Sequence, residues 1–163
     1  MKTMKFLIPL IVLAGTAFAQ TADSQRFYKL DFVVKEVEGG KPVNSRAFST
    51  MLAASQGSNR EQSTIRAGGR VPVAAAGSTS FFDLGVNIDA RDLRESQTDI
   101  AVNLSVDITT IAQENASSQP IVRQNRWSGT VLAPVKKATL VFASDDITSK
   151  RQLQLEMTAT PVK

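Results

Sequence analysis

Arg123, Asn125, Arg126 and Trp127 are the side chains best placed by type and spacing to hold a ligand. On an extended strand Arg123, Asn125 and Trp127 share one face and Arg126 lies on the other. A guanidinium can stack on an indole, and the group together could bind a sugar or a peptide. The same tryptophan can equally serve as a core anchor. Asp83, Asn87, Asp89 and Asp92 offer oxygen ligands of the kind calcium uses. Their alternation is also that of the solvent face of a strand, and it lacks the form of a compact calcium loop, so no metal site is predicted. Asp145 and Asp146 are adjacent acids in a turn and point in different directions.

What is missing narrows the chemistry further. The chain has no histidine and no cysteine. Ser-His-Asp and Cys-His hydrolysis, imidazole-ligated metals and histidine acid–base catalysis are therefore excluded. Carboxylate, lysine or tyrosine chemistry survives, but paired carboxylates need a cleft and a raised pKa that spacing alone does not supply. No catalytic residue and no cofactor is expected.

The elements that must carry these residues are strands. Tyr28, Leu30, Phe32 and Val34 alternate with Lys29, Asp31 and Lys35, and Gly39-Gly40 supplies a tight turn into a return strand over Val43 to Ala54. Ser63 to Arg66 reads as strand, Gly68-Gly69 as a bulge or bend, Arg70 to Val73 as an edge segment because Pro72 lacks an N–H, and Ala74 to Ser80 as a loop. Phe82, Leu84, Val86, Ile88 and Ala90 then point inward. After a turn over Arg94 to Thr98, so do Ile100, Val102, Leu104, Val106 and Ile108. A loop at Gln113 to Gln119 precedes a strand from Ile121 to Ala133, closed by Pro134. Thr139 to Ala143 and a last strand with Leu153, Leu155, Met157 and Ala159 inward complete the pattern. Seven or eight strands without a helical stretch predict an all-β fold, an antiparallel β-sandwich.

The N-terminus predicts export. Lys2 and Lys5, the apolar run Phe6 to Ala14 and Ala17-Phe18-Ala19 have the form of a cleaved signal peptide over 1–19. A flexible mature N-terminus at 20–26 and a single β-sandwich domain over 27–163 are expected to follow. No segment is long enough for a helical transmembrane anchor. The full chain of 163 residues carries a formal charge of +4, and losing Lys2 and Lys5 leaves 17 basic against 15 acidic side chains. That balance predicts no nucleic-acid partner. Localisation is expected to be periplasmic or extracellular.

From Ile65 onward, the ordered segments Arg66-Ala67-Gly68-Gly69-Arg70-Val71-Pro72-Val73, Phe82 to Ile88, Ile100 to Ile108 and Pro120 to Arg126 resemble the C-terminal β-domain of bacterial outer-membrane secretins, over roughly residues 65–158. Secretins form the rings of type II and type III secretion and of type IV pili. The chain resembles a short stand-alone relative without the upstream ring domains. It departs from the pattern at Ala143-Ser144-Asp145-Asp146, where secretins have a glycine-rich segment. The resemblance implies an exported, non-enzymatic protein that acts by protein binding or assembly in the cell envelope, with itself or with a secretion or pilus component. The alternative is a carbohydrate-binding module or a carboxylate-dependent hydrolase with Trp127 and the acidic residues in its site.

Overall fold

A computed structural model describes residues 25–56, 59–75, 78–113, 121–146 and 149–162, so the expected signal peptide lies outside the described residues. Among these residues the strands are β1 Phe27–Glu38, β2 Lys41–Ala53, β3 Gln62–Ala75, β4 Ser78–Ser96, β5 Asp99–Gln113, β6 Ile121–Pro134, β7 Thr139–Asp145 and β8 Arg151–Val162. They form two four-stranded sheets, ordered β2-β1-β8-β7 and β3-β4-β5-β6, in which every pairing is antiparallel. The chain is an all-β sandwich.

Period-two alternation builds the core. Leu30, Phe32, Leu155, Met157 and Ala159 of the first sheet are fully buried against Ile88, Ile100, Val102, Val106 and Ile108 of the second. Registers set small residues beside large ones: Ala159 lies opposite Leu30, and Ala90 opposite Leu104. Burying each such aliphatic or aromatic side chain contributes about 1.5–3 kcal/mol. No polar or charged residue is buried among the described residues.

One end of the sandwich is sewn shut. Between Arg91 and Arg94 the β4 register shifts, and Asp92 takes φ 53°. This bulge turns Leu93 fully into the core. There it bridges to Ala54, and its carbonyl accepts the Ser55 N–H at 2.7 Å. Along one side, the Thr50 and Ser63 hydroxyls hydrogen-bond between β2 and β3. Along the other, Trp127 of β6 stacks on Phe142 of β7 with ring centroids 6.1 Å apart.

The other end splays. Pairing of β4 with β5 stops at Gly85–Thr109, whereas β3–β4 continues to Ala75–Ser78 and β5–β6 to Gln113–Ile121. Two ribbons therefore leave the sandwich separately. At about 3.3 Å per residue, the stretch from Gly85 to Ser78 carries β4 roughly 23 Å past that level. Phe81 and Phe82 point to opposite faces of this ribbon, yet they are 59% and 39% exposed, so neither face is covered.

Several boundaries correct the sequence reading. Phe82 does not reach the core, because alternation sets a side chain's face but not whether a second sheet lies over it. Residues 74, 75 and 78–80 continue the β3 and β4 strands where a loop was expected. The turn expected at Arg94 to Thr98 shrinks to Gln97 and Thr98. Ser144 and Asp145 extend β7 instead of forming a turn.

Candidate functional site

The four residues singled out by spacing all lie on β6, an edge strand. Alternation divides them. Arg123 and Asn125 face a cleft of 270 Å³ between β5–β6 and β7–β8, whose other walls include Asp145, Asp146 and Gln152. Arg123 there donates to the Asp146 carboxylate. Trp127 lies on the same face but is half-buried, packed on the core and on Phe142, so its ring is not a free platform.

Arg126 points to the opposite face of the sheet. It donates to Asp107 Oδ2 from Nη2 at 2.9 Å and from Nε at 3.2 Å, and Gln124 Nε2 donates to the same oxygen at 2.7 Å. Partial burial works to raise the Asp107 carboxyl. The hydrogen bonds from Gln124 and Arg126 outweigh it and hold the group below the usual carboxylate range. The structure thus brings Arg123 and Asn125 together, with Trp127 beneath them, and separates Arg126.

The acidic residues of β4 also part company. Asp83 accepts from Arg70 at 2.8 Å, Asp89 from Arg66 at 2.6 Å, and Asp92 from Asn103 at 3.4 Å with Arg60 3.9 Å away. Each carboxylate has its own cationic partner. No group of three or more potential metal ligands gathers among the described residues.

Two features were out of reach of spacing arguments. Gly68 and Gly85 lie directly opposite each other where the β3–β4 ribbon departs. A Cβ on Gly68 would stand 2.0 Å from the Leu84 carbonyl oxygen, and one on Gly85 2.2 Å from that of Ala67, with φ 146° at Gly85. Only glycine at both positions permits so close a crossing. The second feature is that β3 and β6 are the two free edges of one sheet, each 14 residues long. The bulge or bend expected at Gly68-Gly69 is not formed, since β3 runs through both glycines in continuous register with β4, and the partner Gly85 could be found only from that register.

Two antiparallel four-stranded sheets, the second with elongated hairpins, define the fold. Among solved structures the chain is similar to the type II secretin GspD of enteropathogenic Escherichia coli (TM-score 0.54, 7% identity, 85% of this chain and 70% of that one). It is also similar to the InvG secretin-domain β-barrel of the Salmonella SPI-1 injectisome (TM-score 0.53, 8% identity, 85% and 64%). A third likeness is to the enterotoxigenic E. coli pilotin–secretin complex AspS–GspD (TM-score 0.52, 8% identity, 85% and 50%). The chain spans only half to about two thirds of the length of the latter two. No protein-family model matches the chain, and no curated protein matches it in sequence. The resemblance read from the sequence is thereby shown at the level of the fold. No helix among the described residues is long and apolar enough to cross a membrane, which says nothing of crossing by strands.

Proposed function

We propose that this chain is an exported protein of the bacterial cell envelope that works by edge-to-edge assembly with its own copies, without catalysis, in a secretion- or pilus-related setting. One observation carries the reading. β3 and β6 bound the same sheet, are equally long and run in opposite directions, because three antiparallel steps separate them. A second copy placed beside the first therefore presents β3 antiparallel to β6. The contact is head-to-tail and can close into a ring.

Main-chain hydrogen bonds would supply affinity along Gln62 to Val71, the part of β3 before Pro72, and along β6 up to Ala133. Arg123, Asn125, Arg126 and Trp127 would flank that seam on its two faces. The secretin structures support the reading by their fold, and one of them is described as a β-barrel. Native mass spectrometry of the mature chain tests it: a closed oligomer is expected, and a Ser128→Pro variant, which removes an N–H from the middle of the β6 edge, should shift it to monomer. A monomer at every concentration would contradict the proposal, as would oligomers indifferent to Ser128→Pro.

A further inference from the structure

On the outward face of the β3-β4-β5-β6 sheet, near the sewn end, a polar trough of 670 Å³ crosses all four strands. Its floor is low because Ser105 and Ser128, paired in register, are small, while the neighbouring outward rungs Asn103–Thr130 and Asp107–Arg126 stand taller. At the β4 end the bulge turns Asp92 into the trough, where its carboxylate accepts from Asn103 Nδ2 at 3.4 Å. Thr130 Oγ1 donates to Asn103 Oδ1 at 2.7 Å. Gln62, Arg91, Asn103 and Thr130 are consecutive partners across the four strands.

Arg91 is the exception within this network. It lines the trough, is exposed, and has no hydrogen bond or ion pair among the described residues, whereas Arg60, Arg66 and Arg126 each have a carboxylate nearby. The trough thus offers hydroxyl and amide groups about 7 Å apart along β5, at Asn103 and Ser105, and along β6, at Ser128 and Thr130. The Arg91 guanidinium, outside any ion pair among the described residues, stands on β4 in a lining that also carries Arg60, Glu61 and Asp92. No aromatic ring lines the trough, which disfavours an aromatic ligand held by stacking.

We propose that this trough binds an acidic oligosaccharide, a hydroxyl-rich chain whose carboxylate pairs with Arg91 while its hydroxyls meet Ser105, Ser128, Asn103 and Thr130. Arg–carboxylate pairing is directional and can be bidentate, so the carboxylate would fix the register of the sugar. Ser128 and Thr130 belong to the edge strand β6, but Arg91 belongs to β4, off both edge strands, so a change at Arg91 tests the sugar site without altering either edge.

The probes are tetragalacturonate and its neutral counterpart maltotetraose, titrated into ¹⁵N-labelled mature protein and followed by amide chemical shifts. Tetragalacturonate is expected to shift Ser105, Ser128 and Thr130, with at least tenfold weaker binding to Arg91→Gln and at most a minor loss for the remote control Arg46→Gln. Ser128→Phe, which fills the floor from an exposed position, should abolish binding while the rest of the spectrum stays folded. The inference is overturned if the trough is unperturbed up to about 10 mM sugar, if maltotetraose binds equally well, or if Arg46→Gln weakens binding as much as Arg91→Gln, which would reveal a charge effect only. Arg91→Gln should keep the wild-type oligomeric state, so failure here and failure of the assembly reading are separable.

Discussion

The two sheets share a core and an antiparallel pattern, but they finish their edges differently. In the first sheet the β7 edge is only seven residues long and is broken by a register shift between Leu140 and Phe142. A short, bulged edge is a poor template for another strand. In the second sheet both edges are 14 residues long, and the central strands reach 19 and 15 residues. The first sheet covers the core and keeps one long edge, the 13-residue β2. The second extends past the core with two long edges, and this asymmetry locates the edge pair on which the assembly proposal rests.

The largest expected effect lies where the second sheet outgrows its cover. Gly85→Ala would drive a Cβ into the Ala67 carbonyl at a φ that L-residues avoid, whereas the same change at neighbouring Gly69 meets nothing within 4 Å. Urea unfolding should show a loss of about 2 kcal/mol or more for Gly85→Ala and no loss for Gly69→Ala. Equal effects would mean that the glycine pair does not set the departure of the ribbon.

A smaller effect tests the outer face of the second sheet. The Asp107 carboxyl is held below its ordinary range, so its contribution is fully present above the unfolded-state pKa and is lost as pH falls through the lower folded-state value. Because Arg126 is largely exposed, the contribution should stay below about 1 kcal/mol. The stability gap between wild type and Asp107→Asn should be widest near neutral pH and close on acidification below about pH 4. A gap that widens in acid would contradict the assignment.

Much of this fold is legible in the residues because the central strands are strictly alternating. Leu30–Phe32, Val86–Ile88, Ile100–Ile108 and Leu155–Met157 carry their faces in their own sequence. Gly39 and Gly40 mark their turn, with φ 58° and 77°. Local pattern fails where the determining partner is remote. Phe82 continues the inward row of β4, yet it is exposed because it lies on the part of β4 beyond Gly85, where pairing with β5 has ended. Residues 74, 75 and 78–80 are small or polar and give no period, so register alone reveals them as strand. The separation of Arg126 from Arg123, Asn125 and Trp127 followed directly from alternation, while the partners Asp107 and Asp146 required the tertiary arrangement.

The central claim is that β6 of one copy pairs with β3 of the next. The chain has no cysteine, so introduced pairs report without background. Thr64→Cys on β3 should be combined in turn with Gln124→Cys, Ser128→Cys or Leu132→Cys on β6. Two intervening strands separate these positions by roughly 14 Å, too far for a disulfide within one copy. The account predicts a ladder of disulfide-linked multimers for at least one combination, and monomer for Ser45→Cys with Leu140→Cys on the edges of the first sheet. Monomer throughout, or a ladder only from the first-sheet pair, would contradict it.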